Sequence, residues 1–150
     1  MKAKSRAQPP RYFVVLLLLS LVLHFIFPVW KIIYPPYTYS GFVLIALGAA
    51  LNIWSDWLFK KRKTTVKPHE TPASLEVSGP FRIIRHPMYL GMMAVLLGVA
   101  ILHGTLITFV FPVAFVILME RMFIPLEEKN LERAFGNRYL EYKKRVRRWI

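Results

Sequence analysis

Gly79–Gly91 reads GPFRIIRHPMYLG and joins a polar, basic segment to a long apolar one. A glycine–proline turn opens it. Arg82 and Arg85 follow, then the dipeptide His86-Pro87, with Tyr89 and Gly91 at the mouth of a hydrophobic run. Proline disfavours helical geometry at the residue before it and suits the first turn of a helix. His86 is therefore expected at a helix N-terminus, with Pro87 and Met88 opening the helix behind it. A helix start offers unpaired N–H groups and a partial positive charge to an anionic group. Two readings are open here: a ligand-binding turn, or a membrane-interface turn whose arginines meet lipid phosphates.

Downstream of this stretch, Met88 to Met119 carries no formal charge. His103-Gly104 divides the run into Tyr89–Leu102 and Thr105–Met122, the first piece being short for a full crossing. The expected form is a tight helical hairpin, with Gly91 and Gly98 letting its arms approach closely in the small-residue manner of membrane packing. Upstream, Tyr12–Trp30 also lacks Asp, Glu, Lys and Arg. It is long enough for a ~30 Å hydrocarbon core at the ~20 residues a helix needs. No small-residue cleavage site follows it, so a retained span is expected rather than a signal peptide. Tyr34-Pro35-Pro36-Tyr37 makes an aromatic turn of the kind found at interfaces. A second span runs from about Ser40 to Leu58, with Asn52, Ser55 and Asp56 on one face near its end. Asp56 reads as interfacial there.

Composition agrees with membrane spans. A chain that is 55% hydrophobic also has a formal charge of +13 over 150 residues, which suits one domain with lipid-facing helices and basic loops. A soluble basic nucleic-acid-binding domain could not hide such apolar runs. With no cysteine, the chain has no disulfide framework, thiolate nucleophile or thiolate-bound metal. Lys60–Lys63 closes the second span, and the stretch from there to Met88 shows neither helical nor strand periodicity. Connections of that length tend to be functional. In the last third, Leu126, Leu131, Phe135, Tyr139, Tyr142 and Val146 follow helical spacing with charges between them. They predict an amphipathic helix pair at the membrane surface, interrupted at Gly136-Asn137. With four spans, every Lys and Arg except Lys31 falls on one side, which the positive-inside rule makes cytoplasmic together with both termini.

No Gly-rich dinucleotide fingerprint or phosphate-cradling loop is present, and His24, His69, His86 and His103 share no metal-like spacing. The chemistry-bearing residues left on the cytoplasmic side are Gly79–Gly91, Glu120-Arg121 and the carboxylate pair Glu127-Glu128. Adjacent glutamates at a helix start are also favoured simply by the helix dipole.

RHPMY, the spaced glutamate pair and FGNRYLEY (Phe135–Tyr142) together resemble the isoprenylcysteine carboxyl methyltransferase and phospholipid N-methyltransferase group, from about Thr64 to the C-terminus. That resemblance implies an all-α integral membrane protein of about four transmembrane helices. A cytoplasmic cofactor loop and C-terminal amphipathic helices complete it, as one domain with its cofactor machinery in 60–150. It implies S-adenosylmethionine as cofactor and a lipophilic acceptor reached from the lipid bilayer, with neither nucleic acid nor metal involved. The family's cofactor positions correspond to Ser74, Leu75, Glu76, Phe81, His86, Pro87, Met88, Tyr89, Glu127 and its neighbour Glu128. Backbone around Leu75 and apolar walls suit adenine, a glutamate suits the methionine ammonium, and the helix start suits its carboxylate.

One position departs from the prenylcysteine enzymes. Where they carry a substrate-linked arginine, one helical turn before the glutamate, this chain has Phe123. Arg121 is the nearest substitute and, with Glu127, the candidate catalytic pair, although a regular helix puts it on a different face. This argues against a prenylcysteine carboxylate as acceptor. Two other functions compete: an NADPH-dependent membrane reductase of the sterol-reductase type, and a non-catalytic adaptor whose basic face binds anionic lipid or a partner.

Overall fold

The computed structural model describes residues 8–65, 70 and 72–150. Lys2, Lys4 and Arg6 at the start, and Pro68 and His69 of the basic loop, lie outside these. The described residues form α1 (Pro9–Ile26), α2 (Ser40–Lys61), α3 (Pro87–His103), α4 (Val110–Leu118), α5 (Ile124–Phe135) and α6 (Asn137–Arg145). A π-helical turn, Met119–Phe123, joins α4 to α5. Proline opens α1 and α3, where its missing N–H costs nothing.

Among the described residues, three stretches are long and apolar enough to cross a membrane: Pro9–Ile26, Tyr37–Lys61 and Leu106–Phe135. The fourth apolar helix, α3, has 17 residues. At 1.5 Å per residue it spans roughly 26 Å, short of a full hydrocarbon core. On the outer faces of α1 and α2, Val14, Leu18, Val22, Phe42, Leu47, Ile53 and Trp57 are exposed, as lipid-facing side chains are.

α3 is the hub. Its Tyr89, Met92 and Leu96 pack with Phe115, Met119, Phe123 and Ile124, and α1 covers them with Tyr12, Phe13, Leu16 and Leu17. Tyr12 meets Phe123 edge to face at 5.4 Å, and Phe13 meets Phe115 at 6.4 Å, a favoured aromatic geometry.

The glycines of α3 act on a different neighbour from the one expected. Gly91 and Gly98 face α2, not the other arm of the hairpin, and oppose Gly48 and Gly41 in antiparallel register. A Cβ on Gly48 would lie 2.6 Å from the Gly91 carbonyl oxygen, and one on Gly91 2.7 Å from that of Gly48. Backbone thus meets backbone, and α2–α3 is the most extensive helix pair in the fold. The hairpin partner needs no such approach, because large side chains of α3 and α4 fill the space between them. Asn52 packs beside Gly91, while Asp56 pairs with Lys60 at 2.5 Å on the exposed end of α2.

At the opposite end from Gly79–Gly91, Gly104 closes α3 with φ +67°, a left-handed cap. Its carbonyl accepts from the N–H groups of Ile32 and Ile33 at 2.7 and 3.1 Å. There His24 stacks on His103 at 4.1 Å, a pairing across α1 and α3 that their sequence separation concealed.

Gly48→Ala and Gly91→Ala should each destabilise the protein by about 1–3 kcal/mol, since the neighbour is backbone and cannot yield. Thermal unfolding in detergent reads this directly, as a lowered midpoint in each variant.

Candidate active site

His86 takes extended-to-bridging geometry (φ −125°, ψ 59°) immediately before Pro87, and its carbonyl accepts the first helical bond from Leu90. The ring is buried, with 3% of the residue exposed. It stacks nearly parallel on Tyr89, 5.6 Å away. On one side Nδ1 lies 3.5 Å from Glu127, and on the other Nε2 lies 3.4 Å from Glu128. The Tyr89 hydroxyl donates to Glu127 at 2.9 Å. The helix start and the acidic pair, 38 residues apart along the chain, therefore form one cluster.

The two glutamates differ in kind. Glu128 is buried and meets Arg85 at 3.3 Å, Lys143 at 3.3 Å and Arg148 at 3.0 Å besides His86. The Glu127 side chain is 26% exposed and faces open space. A backbone contact delivers Arg148: the Arg85 N–H donates to the Arg147 carbonyl at 2.8 Å, beside a bridge between Ile84 and Arg147. Arg148 also reaches Glu120 of the π-helical turn at 2.9 Å, and the Trp149 indole N–H donates to Glu120 as well.

The loop before the helix is shaped by its own side chains. Glu76 Oε1 accepts from the N–H groups of Val77 and Ser78 at 3.1 and 2.9 Å and from the Ser78 hydroxyl at 2.5 Å. The Thr64 hydroxyl accepts from the N–H of Ala73 at 3.1 Å. The Tyr142 hydroxyl donates to the Phe81 carbonyl at 2.6 Å, fastening α6 to the Gly79–Arg82 turn.

Two adjoining cavities share Phe59, Phe81, Arg85, His86 and Glu127 as a common wall. One is apolar and runs past Pro87, Met88, Tyr89 and Met92 to the start of α1. The other is more polar and is lined further by Ser74, Leu75, Glu76, Leu131, Tyr139 and Tyr142. Around the second, buried polar atoms lack hydrogen-bond partners: Ser74 Oγ, Arg85 Nε and Nη1, His86 Nδ1 and the Tyr139 hydroxyl. Buried polar groups are ordinarily satisfied, so such a cluster around a cavity is suited to a polar ligand. Among the described residues no set of three or more His, Asp or Glu side chains is arranged to hold a metal ion.

Of the residues singled out from sequence, Ser74, Leu75, Glu76, Phe81, His86 and Glu127 line the polar cavity, and Pro87, Met88 and Tyr89 the apolar one. Glu128 lines neither; it holds the cluster together from behind. Arg121 is exposed, and Phe123 is buried in the core against Tyr12. The π-helical turn does not carry Arg121 into either cavity. Arg85, read from sequence as a residue that could meet lipid phosphate, turns inward with 9% of its side chain exposed. Tyr139 and Phe59 were missed as site residues. The spacing of Tyr139 and Tyr142 carried a signal for the first, but nothing local marked the second.

The fold is that of an all-α integral membrane protein. Superposed on the solved eukaryotic intramembrane Ras methyltransferase, isoprenylcysteine carboxyl methyltransferase, 99% of this chain matches 54% of that one with a TM-score of 0.67 at 22% identity. A family model for phospholipid methyltransferases matches residues 37–138, and the chain belongs to that family. An uncharacterized protein of Haemophilus influenzae is 33% identical over 63 residues, 42% of this chain and 100% of that protein. Protein-S-isoprenylcysteine O-methyltransferase B of Arabidopsis thaliana is 35% identical over 75 residues, 48% of this chain and 36% of the plant protein. The chain thus spans about half the length of the solved methyltransferase and about a third of the plant enzyme.

Burial pushes the His86 imidazole down, but Glu127 and Glu128 outweigh it and hold its pKa above the ordinary value. A raised folded-state pKa contributes stability below the unfolded value of about 6.5, and that stability is lost as pH rises through the folded value. The melting temperature in detergent should therefore fall as pH climbs from about 6.5 through the folded pKa, and His86→Asn should flatten that fall. Glu128→Ala, which strands buried Arg85, should cost on the order of 3–5 kcal/mol. Glu127→Ala, at a partly exposed position, should cost far less in the same melting experiment.

Proposed function

We propose that this protein transfers a methyl group from S-adenosylmethionine to a lipophilic acceptor, a carboxylate or an amine, at the cytoplasmic face of the membrane. The observation that carries the reading is the shared wall. A polar cavity ringed by unpartnered buried groups abuts an apolar one, with Arg85, His86 and Glu127 between them. Methyl transfer joins a water-soluble donor to a lipid-soluble acceptor, and a site for it needs these two environments in contact.

When bound, the cofactor supplies a methyl on a positively charged sulfonium, already activated for transfer. The residues present fit it. Leu75, Leu131 and Phe81 offer apolar walls to adenine, and Ser74 Oγ and the Tyr139 hydroxyl are free to bond its polar edges. Glu127 is the counter-charge for the methionine ammonium. The α3 start and the free Nε and Nη1 of Arg85 suit the carboxylate. Tyr89 orients Glu127 through its hydroxyl. Met88, Met92 and Phe59 wall the acceptor's path and exclude water, so catalysis is chiefly alignment and dehydration. A carboxylate acceptor needs no base. An amine acceptor must arrive deprotonated, since Glu127 faces the ammonium and Glu128 is held by its cations.

The cavities are narrow, about 70 and 40 Å³, against the several hundred that small-molecule sites ordinarily offer. Cofactor entry then requires the wall at 72–78 to move. That wall is built of turns held by side chains rather than by helix or sheet, which suits such movement. The basic residues crowding this end of the molecule support a cytoplasmic site, with both termini on that side.

Titration calorimetry of the full chain in detergent should show saturable S-adenosylmethionine binding, weakened at least about tenfold, or roughly 1.4 kcal/mol, by His86→Ala or Glu127→Ala. No binding, or undiminished binding in both variants, overturns the proposal. Stabilisation by NADPH instead would favour the reductase reading.

A further inference from the structure

Beside the polar cavity, with which it shares Leu75 and Tyr142, α6 and the turn before α3 enclose an open cleft of about 470 Å³. Three arginines line it: Arg82 from the turn, and Arg138 and Arg145 from α6. The spacing of Arg138, Tyr142 and Arg145, at i, i+4 and i+7, sets all three on one helical face. The remaining walls are apolar or aromatic, formed by Leu75, Val77, Tyr142 and Val146.

Charge is uncompensated here. Among the described residues none of the three arginines forms an ion pair with a carboxylate; Arg145 only reaches the Glu141 carbonyl, at 3.4 Å. Glu76, the carboxylate nearest in the loop, is turned away toward Arg62 and Ser78. By contrast, Arg148, in the same region, pairs with both Glu120 and Glu128, and Arg85 pairs with Glu128 through one nitrogen. Three guanidiniums held around one concavity repel one another unless an anion sits between them, and guanidinium groups match the oxygens of phosphate.

The geometry points to a second binding site: the cleft takes the phosphate of an anionic phospholipid. A free soluble phosphate shares the headgroup chemistry, but the apolar walls favour a lipid. Val77 in the wall and Ile83 beside Arg82 are 37% and 73% exposed, an apolar margin next to the charges. Headgroup phosphate would meet the arginines while the glycerol and upper acyl carbons cover Val77 and Val146. Basic residues near an anionic leaflet gain in this way from both charge and apolar contact. This site is independent of the methyl-transfer reading, since none of its arginines lines either cavity of the shared wall.

The test uses the full chain in a neutral detergent, titrated with short-chain phosphatidylglycerol, short-chain phosphatidylcholine and glycerol 3-phosphate. Native mass spectrometry and the thermal midpoint read binding. Phosphatidylglycerol should bind at least about tenfold more tightly than phosphatidylcholine. Arg82→Gln/Arg138→Gln/Arg145→Gln should abolish that preference, whereas Lys129→Gln/Arg133→Gln/Lys144→Gln, which removes equal charge from exposed positions elsewhere on α5 and α6, should keep it. The single change Arg138→Gln, at an exposed position, should weaken binding severalfold without lowering the lipid-free melting temperature, which separates loss of the site from loss of the fold. Equal binding of the two lipids, or an undiminished preference in the triple arginine variant, overturns the proposal. Glycerol 3-phosphate binding as tightly as phosphatidylglycerol overturns the lipid assignment and makes the cleft a soluble-anion site.

Discussion

Glu128 is a carboxylate almost wholly withdrawn from water, and a buried charge survives only where other charges and donors compensate it. Its compensation comes from four residues in three stretches of the chain: Arg85 and His86 at the α3 start, Lys143 in α6 and Arg148 beyond it. Each of those segments is thereby fixed relative to α5. The His86 ring that faces the cavities is held from behind by the same carboxylate. The mutual placement of loop, helix start and C-terminal segment depends on this one centre, while Glu127 beside it stays partly open, held by Tyr89 and His86 alone among the described residues.

That division between adjacent glutamates explains how a small protein keeps a polar cavity next to lipid. The buried member satisfies the cations that would otherwise fill the space. The outer member, oriented by Tyr89, presents its charge to the cavity. Phe59 and Phe81, edge to face at 5.1 Å, keep the common wall apolar between the charged groups. The arginines divide likewise. Arg85 and Arg148 belong to the interior network, and Arg82, Arg138 and Arg145 to an outward cleft without compensating carboxylates.

Helix packing sets the platform under this site. α2 and α3 approach through opposed glycines until backbones touch, leaving the other side of α3 to large side chains. Its Tyr89 and Met92 then serve core and cavity at once. The π-helical turn at Met119–Phe123 lets the chain continue from the hydrophobic α4 into the amphipathic α5 with Phe123 still inward and Arg121 outward. An arginine at the position of Phe123 would have to displace its contact with Tyr12.

Much of this was legible in the residues alone. Long uncharged runs, proline after His86 and helical spacing in the last third determine an all-helical membrane chain, and the start of α3, because these are local or compositional constraints. The RHPMY stretch and the glutamate pair were legible as parts of one site only through resemblance, since no local rule brings residues 86 and 127 together. Tertiary structure decided which glutamate is buried, which arginines turn inward and which neighbour the α3 glycines meet. Those outcomes depend on compensation of charge and filling of space between segments far apart in sequence, and neither is written into any one segment.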